Sequence, residues 1–82
     1  MYYVYVLKSL KDGKLYIGST DDISRRIAEH NRGKNISTKW RRPFKLIYFE
    51  EFRERKEARW REYKFKKSHD ILKRAMEQIK GP

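Results

Sequence analysis

Apolar and aromatic side chains fill the chain from Tyr2 to Leu7, which reads as a β-strand. Strand alternation sets Tyr3, Tyr5 and Leu7 on one face and Tyr2, Val4 and Val6 on the other. Asp12-Gly13 marks a turn and Leu15–Gly18 reads as a second strand, so the two pair as a hairpin. Ile23 and Ile27 then fall at helical spacing within a segment from about Asp22 to Asn31. Thr20 or Asp21 is the expected cap, Asp21 and Asp22 bring negative charge to the helix N-terminus, and Gly33 stops the helix.

Arg32 to Lys45 holds six Lys or Arg and no acid. Its Gly33, Asn35, Ser37 and Pro43 predict a loop. Phe44 to Phe52 returns to a strand pattern, and its unbroken centre Leu46-Ile47-Tyr48-Phe49 predicts cover on both faces. Arg53 to Lys67 lacks Gly and Pro and predicts a helix. Ser68 or Asp70 caps a third helix, with Ile71, Leu72, Ala75, Met76 and Ile79 as its buried stripe before Gly81-Pro82 ends the chain. The expected order is β-β-α-β-α-α: a three-stranded, mostly antiparallel sheet flanked by helices, an α+β fold in which residues 1–82 make a single domain.

Composition narrows the function. At 82 residues a folded chain hides only about 60% of its unfolded surface, so the core must be compact. There is no cysteine, which excludes disulfides and thiolate zinc sites and agrees with a cytoplasmic location. His30 and His69 are too few for a histidine metal cluster. The apolar start lacks a basic leader and a cleavage site, and no apolar run approaches the roughly 20 residues of a membrane helix. Lys and Arg number 22 against 11 acids, a net charge of +11. That excess, locally concentrated, points to a nucleic-acid partner rather than a membrane.

Three polar residues occupy positions where packing alone calls for apolar ones. Ile23, Arg26, Ile27 and His30 fall at i, i+3, i+4 and i+7, so Arg26 and His30 share or border the buried stripe of the first helix. Ala58, Glu62 and Phe65 repeat that geometry on the second. One account is a Glu62–Arg26 ion pair tying two helices together. The other is a site in which these groups and the hairpin tyrosines converge over the sheet. Such a set suits phosphoryl transfer, which needs a proton acceptor for water, a cation over the phosphate and stabilisation of the departing oxygen. A carboxylate holding Mg²⁺ or Mn²⁺ meets the last need, and magnesium often takes only one or two protein carboxylates.

The hairpin carries Tyr3-Val4-Tyr5 and then Tyr16-Ile17-Gly18. These resemble the two halves of the GIY-YIG signature; the first half departs from it at Tyr3 and Val4, and the second is verbatim. The segment Ser19 to Asn31, the run Arg42-Pro43-Phe44-Lys45-Leu46-Ile47-Tyr48 and the run Glu57-Ala58-Arg59-Trp60-Arg61-Glu62 are similar to further stretches of that nuclease family. The likeness covers about Tyr2 to Lys67 and is nearest the short bacterial type, similar to the nuclease module of an excision-repair subunit. It implies a metal-dependent endonuclease. Tyr5 and Tyr16 match the signature tyrosines, Arg26 the arginine that grips phosphate, His30 a histidine of part of the family, and Glu62 the metal-binding glutamate. Tyr5 is preferred to Tyr16 for the proton role, with neighbouring cations lowering its pKa from the usual phenol value near 10. Two departures stand out. Ser19 occupies a place where some relatives have lysine, and no asparagine follows the glutamate helix, where Ser68 is the nearest polar residue.

The basic loop and the second helix hold most of the excess charge and flank the expected site. Lys34, Lys39, Trp40, Arg41, Arg42, Arg59 and Lys66 are the candidate nucleic-acid contacts. They grip phosphates without reading sequence. Trp40 stacks on a base or packs on the protein, with packing preferred, and Tyr2, Tyr3, Tyr48 and Trp60 are read as packing residues. The leading function is a divalent-metal-dependent endonuclease, with DNA favoured over RNA as partner, structured or damaged DNA included. The alternatives are a nucleic-acid-binding module that cuts little and a nuclease-like subunit of a repair complex.

Overall fold

In the computed structural model, which describes residues 1–78, the chain runs β1 (Tyr2–Ser9), β2 (Leu15–Thr20), α1 (Ile23–Asn31), a 3-10 turn (Lys39–Arg41), β3 (Phe44–Phe52), α2 (Arg55–Lys67) and α3 (His69–Gln78). The strands form one antiparallel sheet in the order β2-β1-β3. This is the expected α+β order. The 3-10 turn inside the basic loop is the one element the sequence pattern omits.

β1 is central. Val4, Tyr5, Val6 and Leu7 are all buried, as an unbroken apolar run requires of a strand covered on both faces. The same pattern misleads at β3. It is an edge strand, and Ile47 and Phe49 are 38% and 49% exposed. The register jumps from Val6↔Tyr48 to Leu7↔Leu46, so Ile47 is left unopposed in a bulge, a feature that commonly marks sheet edges.

Strand alternation sorts the core into two layers. Val4, Val6 and Tyr48 pack with Phe65 of α2 and with Leu72 and Ala75 of α3, bordered by Leu15, Ile17, Phe52 and Met76. On the opposite face Tyr5, Leu7 and Phe44 pack with Tyr16, Ile27 and Leu46 beneath α1. Burying each large apolar side chain contributes about 1.5–3 kcal/mol.

Local chemistry sets the boundaries. The hairpin turns at Gly13, whose φ of 73° favours glycine, and Ser9 Oγ accepts the Lys11 and Asp12 amides. The cap of α1 is Asp22 rather than Thr20 or Asp21, because its side chain accepts the Arg25 amide at 3.0 Å. Glu54 and Glu57 form a capping box that starts α2 at Arg55, two residues later than expected. Ser68 Oγ accepts the Ile71 amide and so caps α3 in preference to Asp70. Ile71 faces solvent rather than the buried stripe. Ile79, Gly81 and Pro82 lie outside the described residues.

Two side chains close the basic loop. Asn31 donates to the Phe44 carbonyl and accepts the Phe44 amide at 2.7 Å. Arg41 reaches back to the hairpin, donating to Asp12 at 3.1 Å and to the Leu15 carbonyl at 3.3 Å.

Candidate active site

Tyr5 lies on the α1 face of the sheet, opposite Gly18 in the β1–β2 register. A Cβ added at Gly18 would stand 2.5 Å from the Tyr5 hydroxyl. Glycine at this position is therefore what lets the Tyr5 ring lie across β2. Arg26 and His30, one helical turn apart on α1, reach the same hydroxyl: Arg26 Nε donates to it at 3.4 Å and His30 Nε2 stands 3.2 Å away. The far side of the His30 ring fixes its tautomer. Nδ1 is 3.0 Å from Thr38 Oγ1, and that hydroxyl in turn donates to the Asn35 carbonyl. Nδ1 thus carries the proton, and Nε2 accepts from Tyr5. The Tyr16 ring completes the cluster, edge-on to His30 at 4.8 Å and 6.3 Å from Tyr5 between centroids.

Burial governs the charges. His30 is fully buried; desolvation, followed by the nearby Arg26 charge, holds its pKa below the ordinary histidine value. Burial pushes the Tyr5 phenol up to about 12, outweighing the Arg26 hydrogen bond. The expectation that surrounding cations would lower it is thereby overturned: desolvation of a buried phenolate exceeds what one guanidinium returns. Tyr16 differs in being only partly buried.

Glu62 is not in that contact cluster. Its helix packs on the opposite face of the sheet, where its carboxylate accepts from Ser19 Oγ at 2.7 Å and from Lys66 Nζ at 2.7 Å. The ion pair with Arg26 does not form; Arg26 pairs with Glu29 at 3.1 Å. Between the two lies β2, an edge strand that carries Tyr16 on one face and Ser19, the partner of Glu62, on the other. An open cleft of about 570 Å³ runs along that edge, lined by Leu15, Tyr16, Ile17, Phe65, Lys66 and His69. Tyr16 and Lys66, the partner of Glu62, both line it; Glu62, Arg26, Tyr5 and His30 do not. The Glu62 charge is also felt at Tyr5, whose phenol it helps to raise, while Arg26 feels both phenols.

The basic candidates divide into two groups. Arg59 and Lys66 flank Glu62 on α2, and Arg59 lines a smaller pocket with Ser19, Thr20 and Arg55. Lys34, Lys39, Trp40 and Arg42 belong to the basic loop, whose Thr38 packs beneath His30. Trp40 is 72% exposed with Lys39 Nζ 4.9 Å from its ring centre, so the preferred packing role fails and a stacking face is free. Trp60 likewise does not pack into the core. Arg41 is engaged by Asp12 and Leu15, as described, and holds the fold. Two contributors were missed at the sequence level. Ser19, seen there only as a missing lysine, orients Glu62. Thr38 fixes the His30 tautomer, and nothing in a basic loop marks a buried threonine. Ser68 is taken up by the α2–α3 junction.

Among the described residues no three His, Asp or Glu side chains gather as a metal cage, and no helix is long and apolar enough to cross a membrane.

The GIY-YIG catalytic domain profile matches residues 1–74. A UPF0213 protein of Clostridium perfringens is 48% identical over 68 residues, 82% of this chain and 72% of that protein. One from Listeria welshimeri is 49% identical over 67 residues, 80% of this chain and 73% of the relative. The solution NMR structure of a UPF0213 protein from Bacillus halodurans superposes with a TM-score of 0.56 at 38% identity, covering 99% of this chain and 87% of that one.

Proposed function

The chain belongs to the GIY-YIG family, and from that premise we propose that it is an endonuclease hydrolysing DNA phosphodiester bonds with the help of Mg²⁺ or Mn²⁺. The observation that carries this reading is the edge of β2, where Tyr16 and Lys66 line one open cleft and Lys66 is paired with Glu62. Arg26 supports it, charged and within electrostatic range of both phenols.

Glu62 is suited to a hydrated divalent cation: a partly buried carboxylate already held by a hydroxyl, with water and phosphate left to complete the shell. When bound there, the metal supplies positive charge for the departing oxygen. The chain's own groups do the rest. Arg26 grips the phosphate. Tyr16, the phenol that reaches the cleft, orients the attacking water; its ionised form, with the negative charge facing Arg26, takes the water's proton and becomes neutral as the hydroxide attacks phosphorus. Tyr5, buried and bonded on both sides, positions Arg26 and is relieved of the proton role. His30 and Thr38 hold Tyr5 in turn. Ser19 aims Glu62, and Lys66 releases it to meet phosphate. Arg59, Lys34, Lys39, Trp40 and Arg42 hold the flanking strand.

The test is cleavage of linear, nicked and branched DNA in Mg²⁺ or Mn²⁺, with binding measured in parallel. Wild type is expected to cut. Glu62→Ala should abolish cleavage and leave binding intact or slightly tighter, and Arg26→Ala should damage both. Equal cleavage by wild type and Glu62→Ala would remove the metal role. A second reading, binding with little cleavage, gains from the Lys66 ammonium that already neutralises Glu62. The same assay separates the two, because that reading expects tight binding without products.

A further inference from the structure

Trp60 and Tyr63 are 58% and 50% exposed, on a helix whose buried residues are Ala58 and Phe65. Their rings stack at 5.4 Å with an interplanar angle of 16°, as side chains three apart on a helix can. Lys64 Nζ stands 5.4 Å from the Trp60 ring centre and Lys67 Nζ 5.8 Å from that of Tyr63. Exposed Lys56 and Arg59 extend the cationic surround; of the acids on this helix, Glu57 is engaged in the capping box and Glu62 is paired with Lys66. Among the described residues, neither ring belongs to the hydrophobic core on either face of the sheet. Trp60 is two residues from Glu62, which turns it to the other side of the helix, and neither Trp60 nor Tyr63 lines the cleft.

We propose that this aromatic ledge binds single-stranded nucleic acid, whose bases stack on Trp60 and Tyr63 while Lys64, Lys67, Lys56 and Arg59 take its phosphates. Sequence-tolerant stacking on aromatic rings framed by cations is the general mode of single-strand binding. A duplex keeps its bases stacked on one another and offers none to the ledge. A substrate with an unpaired segment near the bond that is cut thus gains a contact that plain duplex lacks, a preference that rests on the nuclease reading above. The charge surround selects nucleic acid over an apolar protein surface.

The experiment uses the full chain. Trp40→Phe leaves Trp60 as the one remaining tryptophan of two and keeps an aromatic face at position 40. Titration with a short oligothymidylate is expected to quench Trp60 emission, and a blunt duplex to leave it nearly unchanged. In the otherwise wild-type chain, the double variant Trp60→Ala/Tyr63→Ala should bind oligothymidylate at least about fivefold more weakly, the low end of base stacking at ~1 kcal/mol. Its affinity for duplex and its cutting of duplex should stay the same. Lys64→Gln/Lys67→Gln, which leaves both rings in place, should weaken single-strand binding and its salt dependence. Unmoved Trp60 emission, or single-strand affinity unchanged in the double variant, overturns the ledge. If duplex cleavage persists in that case, the nuclease reading survives it. Absence of any nucleic-acid binding or cutting by wild type overturns both.

Discussion

Gly18 and Tyr5 define each other. The ring lies where a side chain at position 18 would be, so Gly18→Ala forces the phenol aside. An overpacked site of this kind costs about 1–3 kcal/mol, to be read from urea denaturation. Cleavage should fall far more, because Arg26 loses its anchor and small misplacements in a site cost on the order of 100-fold. His30 gives a second expectation. Its folded-state pKa is depressed, so as pH falls the unfolded chain binds a proton first. Its contribution is present above the ordinary value near 6.5 and is lost as pH drops toward the folded-state value, by up to about 1.4 kcal/mol per unit. Denaturation midpoints should decline from neutral pH toward about 5.5 in wild type and decline less in His30→Gln. The lowered carboxylates Asp12, Asp21, Glu29 and Glu50 lose their contributions only below about 4.5. A steep decline in His30→Gln would show that another group carries the effect. Arg26 and His30 were legible because helical spacing puts polar groups on a stripe that packing wants apolar. Ser19 and Thr38 were not, because a hydroxyl's role depends on which distant side chain it meets.

The elements carry a different lesson. β1 and β3 have similar apolar runs, yet one is central and the other lies at the edge. Cover depends on pairing partners, which periodicity does not encode. β3 is instead held to α2 by Glu50, which accepts from Arg61 Nε at 2.7 Å and Nη2 at 3.1 Å and also from Tyr48. Burial raises the Glu50 pKa, but the Arg61 and Tyr48 hydrogen bonds prevail and hold it below the usual carboxylate value. Arg61→Ala should destabilise the fold by about 1.5–3 kcal/mol, the range for hydrogen bonds to charged groups, as read by chemical denaturation. A change within a few tenths of a kcal/mol would make the pair ornamental. Helix order and type were readable from apolar spacing and from the lack of Gly and Pro in α2, whereas of the expected caps only Ser68 of α3 held. The side of the sheet on which α2 would place Glu62 was not: the expected direct meeting with the tyrosines over one face does not occur, because Glu62 lies on the face opposite Tyr5.

The balance of 22 basic against 11 acidic residues has its consequence in how the chain meets a polyanion. Binding to DNA should weaken linearly in log affinity against log salt, by about 0.9 per phosphate neutralised. Replacing Lys34 and Arg42, exposed in the basic loop, by Gln should make that slope shallower without changing any preference among sequences. An unchanged slope would move the footprint elsewhere. The account as a whole requires that groups on opposite faces of one sheet serve one reaction. A double-mutant cycle of kcat/KM on DNA in Mg²⁺, comparing wild type, Tyr16→Phe, Glu62→Gln and the pair, measures that requirement. Groups acting as a unit give grossly non-additive losses, so the pair is expected to be scarcely worse than the poorer single variant. Losses that multiply, or singles that cut as well as wild type, would contradict it.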